Sequence, residues 1–193
     1  METKKIKKSF AMTLMLLFWW VSESSATIFV EVPLKTLCVG SNHIVIGRML
    51  SKQSYRGLNG KQIYTDVTLE ITEKIKGVLQ KGDRIKLTLA GGTVDGITTL
   101  VLGGPRFNEG EESLLFISER ISESTGQKYL KLFGLAHGKF DIFTDAKTNE
   151  RRVIRDQVDL PLTLEKGGPS LEVSSTKSIP FVSLANQIRV LVR

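Results

Sequence analysis

The stretch from Gln62 to Ile75 constrains the fold of this chain more than any other segment. Polar and charged side chains, together with Tyr64, occupy every second position, and apolar side chains fill most of the positions between them. The apolar set is Ile63, Val67, Leu69, Ile71 and Ile75. Such alternation is typical of a β-strand with one buried and one solvated face, because successive side chains of a strand point to opposite sides. The segment therefore predicts one long strand.

The neighbouring segments predict a sheet around this strand. Residues 76–82 form a connection, and Asp83 to Leu89 alternates again, so we expect a long antiparallel hairpin. Further strands are predicted at His43 to Ser51, Ile97 to Leu102, Glu112 to Ser118, Lys128 to Phe133 and Lys139 to Phe143. The first of these is apolar on both faces and should be central, with a bulge or close backbone approach at Gly47. Several strands joined by tight turns predict a closed or nearly closed barrel.

Helices are expected at the two ends of this β region. Residues 33–41 predict a short helix, because proline is favoured in the first helical turn. Residues 178–193 predict a second one, with Phe181, Leu184 and Ile188 recurring at helical spacing. Between the barrel core, at about 34–143, and this helix, residues 144–177 are polar and predict a loop with a short strand at Arg152 to Arg155.

Residues 1–26 have the three parts of a secretory signal peptide. An apolar run extends from Phe10 to Val21, and Ser22 to Ala26 places small residues around a cleavage site after Ala26. Four lysines precede the run: Lys4, Lys5, Lys7 and Lys8. The run of roughly 12 residues is shorter than the about 20 that a helix needs to cross a bilayer. We expect a secreted or periplasmic chain of one mostly β domain, residues 27–193, without a stable membrane anchor after cleavage.

Length and charge are ordinary for one exported domain. The chain has 193 residues and a net charge of +7, of which the first 26 residues account for +2 and the remainder for +5. This excess promotes solubility and would also favour an anionic surface or glycan. With a single cysteine, the chain can form no intramolecular disulfide.

Residue types that carry catalysis are sparse. The two histidines, His43 and His137, are far apart, and neither has a second histidine or cysteine at ligand spacing, so we expect no metal site and no cofactor. Cys38 is close in sequence to His43, but the apolar residues around it favour burial as a small hydrophobic residue. The glycines at 91–96 lack the lysine of a phosphate-binding loop and predict turns instead. No catalytic residue is assigned, and a secreted hydrolase using Cys38 or acidic residues is the alternative hypothesis.

The candidate binding surface lies in the predicted barrel loops, because loops vary without disturbing a core. These loops follow Ser51 and span Gly91 to Gly96 and Arg106 to Gly110. The candidate residues are Tyr55, Arg56, Asp95, Arg106 and Glu109. Basic and aromatic residues near Tyr55 also fit nucleic acid, but predicted export argues against that partner. The sequence therefore predicts a non-enzymatic binding module for an extracytoplasmic protein or glycan.

Three short runs carry a family resemblance: His43 to Arg48, Ile63 to Thr65 and Glu73 to Gly77. They resemble a group of uncharacterised exported bacterial proteins, and over residues 34–120 the chain is distantly similar to the netrin-like module of the tissue inhibitors of metalloproteinases. The resemblance implies an OB-type barrel with a short helix before it. Together with the helix predicted at residues 178–193, the expected fold is mainly β, an OB-like antiparallel barrel with a short N-terminal helix and a C-terminal helix. Those inhibitors chelate the protease zinc through a disulfide-bonded N-terminal cysteine. Here the predicted N-terminus is Thr27 and Cys38 is internal, so that mechanism does not transfer.

Overall fold

Five strands of this protein close into a β-barrel. The computed structural model describes residues 32–58, 60–122, 126–155 and 178–192. The predicted signal peptide, 1–26, and most of the predicted polar loop, 156–177, lie outside the described residues.

The described elements follow one another in this order: α1 Leu34–Gly40, β1 His43–Arg56, β2 Ile63–Lys76, β3 Arg84–Ala90, β4 Gly92–Val94, β5 Ile97–Thr99, β6 Glu112–Ile121, β7 Lys128–Leu132, a 3₁₀ turn Leu135–Gly138, β8 Lys139–Thr144, β9 Arg151–Arg155, β10 Ile179–Pro180 and α2 Phe181–Leu191. The long hairpin of β2 and β3, the two helices and the short strand at β9 are therefore confirmed. Within the described residues, no helix is both long and apolar enough to cross a membrane.

The barrel has the strand order β1-β2-β3-β7-β6, and β6 pairs with β1 to complete the circle. All of these pairings are antiparallel except that of β3 with β7, which is parallel. The mainly β, OB-like barrel with two flanking helices is therefore confirmed. Strands β8, β9 and β10 continue the sheet outward from β6.

Strand β1 is central, as its two apolar faces predict. It pairs with β2 on one side and β6 on the other, and the register with β2 shifts at Gly47, which confirms the bulge. A Cβ at Gly47 would lie 3.3 Å from the Leu115 side chain, so the barrel interior also crowds this position. The strand runs to Arg56, and the prediction that a loop follows Ser51 is wrong. The pairing with β2 continues through Tyr55, which keeps these residues extended.

The two faces of the central strands β1 and β6 contribute to two different hydrophobic cores. One face points into the barrel core, whose members are Val45, Met49, Val67, Leu69, Ile71, Ile85, Leu87, Phe107, Leu115, Ile117 and Leu132. The other face of β1 and β6 packs against both helices through Ile44, Ile46, Leu114 and Phe116. From α2, this second core receives Phe181, Leu184, Ala185 and Ile188, one face of the helix. Double-sided burial explains why β1 and β6 lack the clean alternation of β2.

The segment from Gly91 to Leu102 departs from its prediction. Residues 92–94 form strand β4 instead of a loop, and β5 ends at Thr99 and pairs only with β4 among the described strands. Asp95 and Gly96 connect them with φ of 52° and 75°, the two-residue turn that matches strand twist in a hairpin. Gly91 and Gly92, between β3 and the hairpin, also have positive φ, 91° and 133°, which glycine adopts readily. The hairpin of β4 and β5 forms a two-stranded sheet separate from the barrel sheet.

Candidate ligand-binding groove

Two tyrosines form an aromatic pair on the outer face of the barrel. The register of β1 with β2 places Tyr55 opposite Tyr64, and their ring centroids are 6.0 Å apart with an interplanar angle of 31°. Tyr64 and Asp66 point outward because Ile63 and Val67, at the alternate positions of β2, are buried. The hydroxyl of Tyr55 donates to Asp66 Oδ1 at 3.3 Å.

Asp66 connects this pair to β3. Its Oδ1 accepts a hydrogen bond from Thr88 Oγ1 at 2.7 Å, and its Oδ2 lies 3.2 Å from Lys86 Nζ. Burial raises the pKa of the Tyr55 hydroxyl, and the neighbouring Asp66 carboxylate raises it further through its charge and its hydrogen bond. The face of β1, β2 and β3 therefore presents aromatic rings, a hydroxyl and a fixed carboxylate.

Beside this face runs a groove of about 1210 Å³, here named the β3–β7 groove. Tyr64 and Thr88 line it on the β2–β3 side, and Lys128, Tyr129 and Lys131 line it on the β7 side. The two sides diverge because β3 and β7 share only the residue pair Leu87–Leu130 among the described residues. A barrel closed by such a short ladder leaves room for a ligand between the strands.

The β7 side of the groove is basic. Arg120, Lys128 and Lys131 line it together with a single acidic side chain, Glu119. Glu119 Oε1 lies 2.9 Å from His43 Nε2, and its Oε2 lies 4.0 Å from Lys128 Nζ. In the part of the chain that the structure describes, neither Arg120 nor Lys131 forms an ion pair. The groove therefore carries an excess of positive charge.

The contacts of His43 fix its role. Its Nδ1 accepts a hydrogen bond from the Val78 backbone N–H at 3.3 Å, so the ring proton lies on Nε2 and is donated to Glu119. The ring is 3% exposed, and both of its nitrogens are engaged. His43 therefore anchors Glu119 at the edge of the groove and is not oriented as a base for Cys38.

Cys38 is buried in the second core, as predicted. Burial raises the pKa of its thiol, and the nearby Lys76 ammonium offsets this only in part. A catalytic thiol needs the opposite, a lowered pKa and access to solvent. Within the described ranges, no three His, Cys, Asp or Glu side chains are grouped to hold a metal ion.

The five candidate residues from the sequence lie in three places: Tyr55, Arg56 and Asp95 are neighbours, and Arg106 and Glu109 lie elsewhere. Arg56 Nε lies 3.5 Å from Asp95 Oδ2, so this contact brings the hairpin of β4 and β5 to the residue next to Tyr55. Arg106 lines a smaller cavity of about 620 Å³ instead of the β3–β7 groove. Glu109 lies in an exposed turn before β6, beside Gly110, whose N–H donates to Met49 O. Tyr55 and Arg56 lie on a strand, not on the predicted loop.

Sequence reasoning did not single out the groove itself. Asp66 was visible only as one polar residue on the solvated face of β2, and Lys128, Tyr129 and Lys131 only as parts of a predicted strand. For Asp66, the alternation of β2 predicts an outward-facing side chain. What brings β7 beside β3 is a parallel pairing between strands about 40 residues apart in sequence, and no local pattern encodes such a pairing.

No protein-family model matches this chain, and no curated protein or solved structure matches it significantly. The similarity to netrin-like modules therefore stays a prediction.

Proposed function

We propose that this protein is an exported, non-enzymatic binding module that holds a glycan in the β3–β7 groove. The observation that carries the proposal is the position of this groove, of about 1210 Å³, beside the outer face of β2 and β3. OB-like barrels commonly use the face of their second and third strands, with the adjoining loops, to bind oligosaccharides and oligonucleotides. The predicted signal peptide supports a secreted or periplasmic place of action.

The side chains at the groove suit sugar rings. Tyr64 and Tyr129 lie on its two sides, and aromatic rings pack well against the apolar face of a pyranose. Thr88 and Glu119 supply a hydroxyl and a carboxylate that can exchange hydrogen bonds with sugar hydroxyls. A few polar groups next to aromatic surface is the usual composition of a ligand site.

The alternative hypothesis, a secreted hydrolase, finds less support at the same residues. Cys38 is 1% exposed and has a raised thiol pKa, and His43 is occupied by Glu119 and Val78. Protein capture by the hairpin of β4 and β5 is a further use of a binding module, but the aromatic groove favours a glycan.

A glycan-binding panel with the purified chain tests this proposal. Tyr64→Ala should weaken binding by roughly fivefold, the loss expected for one aromatic contact. Phe143→Ala is the matched control, because Phe143 is a half-exposed aromatic residue of β8 that does not line the groove. If no glycan binds, or if both variants weaken binding equally, the proposal is wrong.

A further inference from the structure

We infer that the ligand of the β3–β7 groove is an anionic glycan, one that carries carboxylate or sulfate groups. This inference deepens the proposed function and rests on it. It starts from the charge of the groove, in which three basic side chains, Arg120, Lys128 and Lys131, face one acidic side chain.

The acidic side chain does not cancel this charge evenly along the groove. Glu119 accepts the His43 hydrogen bond at 2.9 Å and lies 4.0 Å from Lys128, so its negative charge is held next to these two residues. Arg120 and Lys131 have no acidic partner within 4.0 Å among the described residues. Unpaired cations that line one groove raise the local concentration of anionic ligands.

The register of β6 with β7 places two of the three cations, Arg120 and Lys131, and an aromatic ring on one surface. Arg120 is opposite Tyr129, and Ser118 is opposite Lys131. Because Leu130 and Leu132 belong with the barrel core, Tyr129 and Lys131 point outward, and Arg120 shares the face of its cross-strand partner. One side of the groove is thus cationic, and the other side, with Tyr64 and Thr88, suits ring faces and hydroxyls.

This division favours a glycan over a nucleic acid. A single-stranded nucleic acid carries a phosphate at every nucleotide, and these charges would pass the Glu119 carboxylate that lines the groove. In a glycan, hydroxyls can donate hydrogen bonds to this carboxylate while acidic substituents meet Arg120 and Lys131.

Dextran and dextran sulfate test the inference directly, since they share one backbone and differ in charge. Polygalacturonate is included as a glycan charged by carboxylates, and single-stranded DNA serves as the competing polyanion. We expect the purified chain to prefer dextran sulfate or polygalacturonate over dextran by at least tenfold at about 50 mM salt, and to lose most of this preference at about 500 mM. Which of the two acidic glycans binds more tightly identifies the acidic group.

The double variant K128Q/K131Q should weaken acidic-glycan binding by roughly fivefold, as expected when two exposed ion pairs are lost. K81Q/K147Q is the matched control, because it removes the same charge from two exposed turns that do not line the groove. Equal weakening by both double variants would reduce the result to non-specific charge attraction and overturn the inference. Equal affinity for dextran and the acidic glycans would also overturn the inference, and so would tighter binding of DNA than of either acidic glycan. Binding of dextran as tight as that of the acidic glycans, if Tyr64→Ala weakens it, would overturn the charge preference while leaving the proposed function intact.

Discussion

Leu87 of β3 and Leu130 of β7 form a parallel residue pair, and among the described residues this pair alone joins the two strands. It completes the barrel on the side opposite the extensive pairing of β1 with β2 and β6. The same short ladder allows β3 and β7 to diverge into the groove. The contact between β3 and β7 therefore both completes the barrel and leaves the groove open to a ligand.

Replacing Leu87 with alanine should destabilise the protein strongly. Leu87 is fully buried in the barrel core, and truncation of such a leucine typically costs about 2–5 kcal/mol because a cavity remains. Leu100→Ala is the control, since Leu100 is 74% exposed and should change the free energy of unfolding by less than about 0.5 kcal/mol. Urea denaturation measures both values. Similar losses in the two variants would contradict the assigned core.

Gly77 and Gly82 offer a matched comparison of backbone strain and steric contact. Both have positive φ, 98° and 91°, so alanine at either position should cost about 1 kcal/mol in backbone conformation. At Gly77, a Cβ would in addition overlap His43 Nδ1 and lie 2.7 Å from Asn42 O, whereas nothing lies within 4 Å at Gly82. We expect Gly77→Ala to lower the free energy of unfolding at least twice as much as Gly82→Ala. Equal losses in urea titrations would show that the His43 contact does not matter.

The Cys38 thiol should react slowly in the folded protein. Burial raises its pKa above the ordinary value of 9.0, so the fold favours the neutral thiol and disfavours the reactive thiolate. Modification by a disulfide reagent at about pH 8 should be much slower than in the urea-unfolded chain. The stability that accompanies this shift is fully present below pH 9.0 and is lost as the pH rises above it. Rapid labelling of the folded protein would refute this assignment.

Asp66→Asn should lower the pKa of Tyr55. The Asp66 carboxylate contributes to the raised pKa through its charge and its hydrogen bond, although burial is the larger cause. Removal of the charge therefore leaves the pKa above the ordinary value of 10.0 but closer to it. Ultraviolet titration of the tyrosines reads this shift directly. Glu70→Gln, on the same face of β2, is the control and should leave the titration of Tyr55 unchanged.

Local patterns predicted those parts of the fold whose signal is local. The alternation of β2 was read correctly because one of its faces is solvated, and the apolar face of α2 was read from its spacing. The strand predicted over Ile97 to Leu102 ends at Thr99 and pairs with β4 instead of joining the barrel. Apolar Ile97 and Leu100 resemble barrel-strand residues in sequence, although both are more than half exposed in the structure. A candidate site built on loops likewise missed Arg120, Lys128 and Lys131, which lie on strands.

The amino-acid sequence by itself determined the long hairpin of β2 and β3, the two helices, and the apolar faces of β2 and α2, since these follow from periods of two and 3.6 residues. Only the tertiary structure decided that Tyr64 of β2 and Tyr129 of β7 line one groove. The order of strands in a sheet depends on non-local pairing, whose free energy comes from the collective burial of two cores and not from any short segment. The groove exists because this collective packing closes the barrel with so short a ladder between β3 and β7.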